Sequence, residues 1–288
     1  MKTVLLCSKQ LGVDCLKALL KLESCDLAAV LTVKEKADTR SHYDSIEAIC
    51  GRTNTPLYSI SGEKETEAIL QQYSPDICMV ACWYRLLNQK ILDAVPEIIG
   101  IHHSLLPKYR GGSPLVWQII NGEPVVGSSL FSIGEGVDAG KIWGQYKLVL
   151  DPNDYVKDVE KKLNNGILTV FKEKWPRIIS GDYNPRPQTG TPSYCAQRIP
   201  KDGKIDWQWT ASEIYNFIRA QSDPYPGAFT MFKGEKLHFW KATVDEYKYY
   251  GTPGQVARIK NGKAYLICGD NKAVVVDAGP LNSIKIRL

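Results

Sequence analysis

The sequence predicts an α/β protein, with a Rossmann-like, doubly wound, mostly parallel sheet first and a small β-barrel-like (OB-like) domain after it. Short apolar patterns typical of strands alternate with helical patterns over the first part of the chain, which favours a parallel sheet covered on both faces. Beyond a proline-rich segment, short strand patterns follow one another with turns between them, which is typical of a small β-domain.

In the first part, apolar runs predict strands and helical periodicity predicts helices. Strands are expected at residues 3–7, 27–33, 76–82, 98–102, 128–133 and 141–149, with an extended segment at 56–60. Helices are expected after Gly12 and at residues 43–50, 63–73 and 155–177. These elements predict a first domain that spans residues 1–185.

Prolines 185, 187, 192 and 200 mark a change in the chain, and they predict a linker at residues 186–203. The second domain is expected at residues 204–288. It should contain one helix at 212–220 and strands at 228–232, 236–244, 254–260, 263–268 and 273–277, with a turn at Asn261-Gly262.

Composition restricts the class of protein. The 288 residues carry 36 basic and 31 acidic side chains, a net charge of +5, without a basic block longer than a pair. This weakens a nucleic-acid function and leaves room for an anionic small substrate. The eight cysteines show no C-x-x-C spacing, and no run reaches the ~18 apolar residues of a membrane span. We expect a cytoplasmic protein with reduced thiols and no membrane association.

Two glycine-rich segments carry candidate catalytic residues. Residues 100–112 follow a predicted strand and contain His102 and His103, and residues 134–140 place Asp138 among glycines. A histidine at the carboxyl end of a strand can act as a general base or as a donor to a developing oxyanion, and a carboxylate is its usual companion. The alternative is a turn histidine and a loop aspartate that cap nearby backbone.

The run H-x-S-L-L-P-K-Y-R-G at residues 102–111, followed by G-V-D-A-G at 136–140, resembles the signature of the folate-dependent formyltransferases. This family includes methionyl-tRNA formyltransferase, glycinamide ribonucleotide transformylase and the sugar N-formyltransferases. The similarity extends to C-W-Y-R-L-L at residues 82–87 and to I-D-W at 205–207, and it therefore covers almost the entire chain. The chain is most similar to the sugar N-formyltransferases.

The resemblance implies that residues 1–185 are the catalytic domain, with His102 and Asp138 as its catalytic residues. In the family an uncharged amine attacks the formyl carbon of 10-formyltetrahydrofolate, the co-substrate. The histidine helps to hold the oxyanion, and the aspartate helps to remove the amine proton. No metal is called for.

Gly100 stands where the family carries a catalytic asparagine, two residues before the histidine. An amide donor at that place can contribute ~3 kcal/mol, so a backbone N–H, a water molecule or His103 must compensate, or activity is weak. Aligning His103 as the catalytic residue would break the spacing to the S-L-L-P run. His103 therefore stays a candidate substrate contact or a plain turn residue.

The resemblance also assigns binding residues. A pterin pocket is expected from the aromatic and apolar segment after a strand and from the glycine loop, namely Trp83, Tyr84, Arg85, Leu86, Leu87, Ile133, Glu135, Gly136 and Val137. The substrate is expected to meet His103, Ser104, Lys108, Tyr109 and Arg110. Of these, Lys108 and Arg110 form either a phosphate anchor or a solvated basic pair.

The acceptor is expected to be a nucleotide-linked amino sugar on the route to a formylated surface polysaccharide. Members that act on tRNA usually insert a longer basic loop where this chain has the short segment of residues 34–43, which carries charges of both signs. Such a segment is expected to bind a phosphate backbone weakly. Methionyl-tRNA is the second candidate acceptor. A non-catalytic folate-binding protein is a third possibility, motivated by Gly100. A homodimer would cover the edges of the C-terminal strands.

Overall fold

The computed structural model describes residues 1–34, 38, 40–85 and 87–283. The strands are β1 (Lys2–Cys7), β2 (Asp26–Thr32), β3 (Leu57–Ser59), β4 (Ile77–Ala81), β5 (Glu97–His102), β6 (Arg110–Gly111), β7 (Val125–Ser132), β8 (Ile142–Val149), β9 (Tyr194–Cys195), β10 (Ala228–Phe232), β11 (Glu235–Phe239), β12 (Thr243–Asp245), β13 (Val256–Lys260), β14 (Lys263–Ile267) and β15 (Ala273–Asp277). The helices are α1 (Lys9–Leu19), α2 (Tyr43–Thr53), α3 (Glu63–Tyr73), α4 (Gln89–Asp93), α5 (Pro114–Ile120), α6 (Val156–Ile179) and α7 (Ala211–Ala220).

Seven strands form one sheet in the order β3-β2-β1-β4-β5-β7-β8. The first five pair in parallel, and β5 pairs with β7 in antiparallel register, with His102 opposite Ser129. Helices connect the parallel strands, as such crossovers require. This topology confirms the doubly wound, mostly parallel fold.

Both faces of the sheet are buried. In β1, Leu5 and Cys7 belong to an apolar cluster that also contains residues of α1, α2 and α6. Val4 and Leu6 point the other way and belong to a second cluster, with residues of α3 and α4. Because side chains alternate along a strand, a strand that is apolar at every position needs a cover on each side.

The contacts divide the chain into two compact units that are discontinuous in sequence. The first comprises Met1–Gly111, Gly127–Leu148 and Lys162–Tyr194, and the second comprises Gly112–Val126, Val149–Lys161 and the chain from Cys195 onward. The domain limits at residues 185 and 204 stay a prediction.

The second unit contains short antiparallel strands, as predicted. A four-stranded sheet has the order β12-β15-β14-β13, and β10 and β11 form a separate hairpin. Asn261 and Gly262, and likewise Lys233 and Gly234, have positive φ angles, which two-residue hairpin turns require. Thr210 and Glu213 form a capping box at the start of α7.

The single strand expected at residues 236–244 is a wrong prediction. The chain forms β11 and β12 there, and these belong to different sheets. Between them, the hydroxyl of Tyr155 donates to the carbonyl of Ala242 and accepts from its N–H, while Ser222 donates to the carbonyl of Trp240. Side chains therefore bond the backbone that would otherwise continue a strand ladder.

Within the described part of the chain, no helix combines the length and the apolar character that crossing a membrane requires.

Candidate active site

The first part of the site lies where β5 ends. His102 is the last residue of β5, and it is buried. Its Nε2 atom lies 2.7 Å from the carbonyl oxygen of Tyr109, and because a carbonyl only accepts, Nε2 carries the hydrogen. The ring meets that of Phe131 edge to face, with centroids 6.1 Å apart. Nδ1 is therefore the nitrogen that remains for chemistry.

Asp138 supplies the second part. Its Oδ2 atom lies 3.5 Å from Nδ1 of His102 and accepts a 2.8 Å hydrogen bond from the backbone N–H of Gly111. The residue adopts a left-handed backbone, with φ of 47°, which is strained for a side chain other than glycine. The structure thus brings together the two residues that the motifs predicted as catalytic, at the carboxyl edge of the sheet.

The loop after His102 is held by its own hydroxyl groups. Ser104 is fully buried, and its Oγ atom donates to the carbonyl of Lys108 over 2.6 Å. Ser129 in β7 donates to the carbonyl of Ser104 and accepts from the N–H of Leu106. Ser104, expected to meet substrate, therefore lies inside the loop, where it shapes the backbone that presents His102.

The other residues expected to meet substrate are distributed around this loop. The side chain of Lys108 is exposed. The backbone carbonyl of Tyr109 accepts the hydrogen bond from Nε2 of His102. The guanidinium of Arg110 donates to Oε1 of Gln188 and to the hydroxyl of Tyr194, and its backbone N–H donates to the carbonyl of Ser193. Arg110 therefore connects the histidine loop to a later segment of the same unit.

His103 is half-buried beside His102, and its Nδ1 atom lies 2.8 Å from Oγ of Ser128. Burial, assisted by the neighbouring His102, lowers the pKa of His103 to about 4. The imidazole is therefore uncharged near neutral pH. It can exchange a neutral hydrogen bond with Ser128 but brings no cation to the site.

Gln188 is a site residue that the sequence does not predict. Its Nε2 atom donates to the carbonyls of Asp138 and Gly140, at 2.8 and 2.7 Å, while its Oε1 accepts from Arg110. No signal in a single sequence separates this glutamine from others, because it follows a proline in a stretch without periodicity.

Three of the residues predicted to bind the pterin share one apolar wall. Trp83, Leu87 and Ile133 all pack, partly buried, against the cluster formed by β1, β2, β4 and β5 with α3 and α4. The Nε1 atom of Trp83 is buried, and it has no hydrogen-bond partner among the residues that the structure describes. Such an orphaned donor is costly unless a ligand supplies an acceptor.

The remaining residues predicted to bind the pterin are more open. The ring of Tyr84 is half exposed and lies under the ammonium of Lys9, and Arg85 donates to the carbonyl of Ser61. Leu86 lies outside the described residues. Glu135, Gly136 and Val137 form an exposed loop between the wall and Asp138.

Gly100, where the family's asparagine would stand, is buried in the middle of β5, paired with Phe131 in β7. The space that a side chain would take is filled by Ile133 and bordered by Phe131. No amide reaches the site from position 100.

Two family models match the chain. The model described as formyl transferase matches residues 1–170, and that described as formyl transferase, C-terminal domain, matches residues 198–283. The bifunctional polymyxin resistance protein ArnA of Wigglesworthia glossinidia brevipalpis is 31% identical over 261 residues, which are 89% of this chain and 40% of that protein. The chain thus spans less than half the length of this relative.

Solved structures share the fold. WlaRD, a sugar 3N-formyl transferase crystallised with dTDP and 5-N-formyl-THF, gives a TM-score of 0.72 at 21% identity, over 96% of this chain and 97% of that one. The Helicobacter canadensis N-formyltransferase, in complex with folinic acid and dTDP-3-aminofucose, gives 0.71 at 21%, over 96% and 98%. HypX of Aquifex aeolicus, in complex with tetrahydrofolic acid, gives 0.66 at 18%, over 96% of this chain and 43% of that one.

Proposed function

Because the chain belongs to the formyl transferase family, we propose that it transfers a formyl group from 10-formyltetrahydrofolate to the amine of a nucleotide-linked amino sugar. The observation that carries this proposal is the pairing of His102 with Asp138 at 3.5 Å, at the carboxyl edge of the parallel sheet. This is the edge at which open α/β sheets bind their ligands.

The residues beside this pair fit a reduced folate. Trp83, Leu87 and Ile133 offer an apolar wall for a flat ring, and the indole N–H of Trp83 offers a buried donor to a ring that carries acceptors. The exposed loop of Glu135, Gly136 and Val137 connects this wall to Asp138. When bound, 10-formyltetrahydrofolate supplies the electrophilic formyl carbon.

The two predicted catalytic side chains can both take part in proton transfer from the amine. The carbonyl of Tyr109 fixes the hydrogen of His102 on Nε2, so Nδ1 accepts a proton in the neutral ring and donates one in the imidazolium. Gly111 holds the carboxylate of Asp138 beside Nδ1. An amine placed next to the pair can therefore lose its proton to Asp138, directly or through the imidazole.

The negative oxygen that develops during transfer needs a donor as well. Gly100 offers none from a side chain, and the neutral His103 brings no positive charge to it. Nδ1 of His102, once it has taken up the proton of the amine, can donate a hydrogen bond to this oxygen. Formyl transfer would depend on this histidine more heavily than in a site that also has an asparagine.

Among the described residues in and around 34–43, the contacts of the charged side chains support a sugar acceptor over tRNA. Lys9 and Arg40 both pair with the carboxylate of Asp38, at 2.5 and 3.0 Å, and the ammonium of Lys34 lies over the ring of Tyr43. Cations that are paired within the protein release fewer counterions from a nucleic acid, and they bind its backbone weakly. The two N-formyltransferases with dTDP or a dTDP-amino sugar support the same choice.

The test is release of tetrahydrofolate from 10-formyltetrahydrofolate, with dTDP-linked and UDP-linked amino sugars compared with methionyl-tRNA. Turnover with a sugar nucleotide, lost in both His102→Ala and Asp138→Ala, is the expected result. His42→Ala, immediately before α2, and Asp93→Ala, at the end of α4, are matched controls that should retain it.

Each of the other outcomes points to a different function. Turnover with methionyl-tRNA alone would replace the sugar by tRNA as the acceptor. Binding of the folate without turnover of any acceptor would favour a non-catalytic protein.

A further inference from the structure

The side chain of Gln188 uses all of its hydrogen-bonding capacity within the site. Its Nε2 atom donates to the carbonyls of Asp138 and Gly140, at 2.8 and 2.7 Å. Its Oε1 atom accepts from Nη2 and Nε of Arg110, at 2.7 and 3.2 Å. An amide has two donor hydrogens and two acceptor lone pairs, so every one of them is occupied here.

These bonds join the two loops that carry the predicted catalytic residues. Arg110 precedes Gly111, whose N–H holds the carboxylate of Asp138. Nε2 of Gln188 donates to the backbone carbonyl of the same aspartate. Asp138 is therefore fixed at its carboxylate by one loop and at its carbonyl by a residue that also holds that loop.

Asp138 needs such support because of its backbone. A left-handed φ of 47° is unfavourable for aspartate, by about 1 kcal/mol or more, and persists only where the surroundings impose it. At 3.5 Å, the contact between Asp138 and His102 is close to the limit at which a small displacement would separate the two groups.

We propose that Gln188 is a positioning residue that holds Asp138 against Nδ1 of His102. The inference rests on the proposed roles of this pair, and it assigns a function to the proline-rich segment beyond the last helix of the first unit. Gln188 acts through Asp138 and does not touch the reacting atoms.

Gln221, which follows α7, provides a matched control. Its Oε1 atom accepts from Arg198, and its Nε2 atom donates to the backbone carbonyl of Phe217. Like Gln188, it joins an arginine to a backbone carbonyl, but none of the hydrogen bonds that the structure describes for its side chain reaches the loop of His102 or the loop of Asp138. Replacement of either glutamine by methionine keeps the length of the side chain and removes the amide.

The experiment is side-chain ¹⁵N NMR of the histidines in the full chain, near neutral pH. The protein has four histidines, and His102→Gln identifies the signals of His102. Asp138→Asn should displace the Nδ1 resonance, and Gln188→Met should displace it in the same direction. Gln221→Met should leave it in place, with a loss of melting temperature similar to that of Gln188→Met.

In the Asp138→Asn background, Gln188→Met should cause no further displacement, because the group through which it acts has changed already. An Nδ1 resonance at its wild-type position in Gln188→Met would overturn the proposal. So would displacements that simply add, or one that is equally large in Gln221→Met, since these would indicate a general structural role.

Failure of the proposed function would be visible separately. If Asp138→Ala keeps full turnover while Gln188→Met displaces the resonance, the positioning holds and the catalytic assignment fails. If Asp138→Ala abolishes turnover and the resonance does not move in Gln188→Met, only the positioning role fails.

Discussion

A Cβ atom at Gly100 would lie 2.6 Å from Cδ1 of Ile133 and 3.0 Å from its Cγ1. Real Cβ atoms almost never approach another heavy atom so closely. While Ile133 keeps its present rotamer, no residue larger than glycine fits at position 100. Ile133 also belongs to the apolar wall predicted to bind the pterin. The absence of the family's asparagine and the shape of this wall are thus two aspects of one packing arrangement.

Gly100→Asn should therefore lower the free energy of unfolding by about 1 to 3 kcal/mol, because it overfills the space beside Ile133. Ile133→Ala should create that space. The double variant should transfer formyl groups about 10-fold to 100-fold faster than Ile133→Ala alone, because an amide then reaches the developing oxyanion. Rates of tetrahydrofolate release and urea unfolding measure both effects. Equal rates in the two variants would contradict a role for an amide at position 100.

Replacement by alanine should affect the free energy of unfolding differently at two glycines of the Asp138 loop. A Cβ at Gly140 would collide with the carbonyl oxygen of Ser132, which is backbone of β7 and cannot rotate away. Gly140→Ala should lower the free energy of unfolding by about 2 kcal/mol or more. At Gly134 nothing lies within 4 Å, and Gly134→Ala should be neutral or stabilising by up to about 1 kcal/mol. Thermal unfolding distinguishes the two, and equal losses would contradict the packing around Gly140.

The parallel sheet and the two predicted catalytic residues could be predicted from the sequence, because the patterns that indicate them are local. The strands of the parallel sheet are continuous apolar runs, and the two motifs around His102 and Asp138 have a specific order of residues. The helices α4 and α5, of 5 and 7 residues, are too short to show a period and were not predicted. A resemblance can assign a residue type to a site, but it cannot tell which way a hydroxyl such as that of Ser104 points.

Gln188 illustrates the other limit. Its partners Asp138 and Arg110 are 50 and 78 residues away in sequence. Prolines 185 and 187 and Gly190 lie close to it, and they predict only irregular backbone. Long-range contacts of a single amide leave no periodic pattern. The stretch therefore had the composition of a linker, although its residues bond to both loops of the site.

The neutral His103 should make stability depend on pH in a defined window. Its folded pKa of about 4 lies below the ordinary ~6.5, so between these values the unfolded chain binds the proton more readily. Stability should therefore fall as pH decreases from about 6.5 to about 4. His103→Gln should make this decrease smaller, which urea unfolding at several pH values measures. An unchanged pH profile would show that His103 is not held neutral.

Asp38 should also make the free energy of unfolding depend on pH, in a more acidic range than His103. Burial alone would favour its neutral form, but hydrogen bonds from Arg40 and Lys9 outweigh this and hold the pKa of the Asp38 carboxyl well below its usual range. The contribution is therefore present above the ordinary pKa of ~3.9 and is lost as pH falls below it. Asp38→Asn should cost about 1 kcal/mol near pH 7 and less at about pH 3. The free energies of unfolding of both proteins at the two pH values provide the test.

Arg186, Gln188 and Ser193 bond to earlier parts of the chain, and these bonds suggest how the proposed activity would be lost on proteolysis. A protease that cut the proline-rich stretch would leave the seven-stranded sheet, His102 and Asp138 covalently intact. It would nevertheless free the residue proposed to hold the aspartate in place. The proposed activity would then be lost before global unfolding, and the rate of nicking in this stretch would report on the integrity of the site.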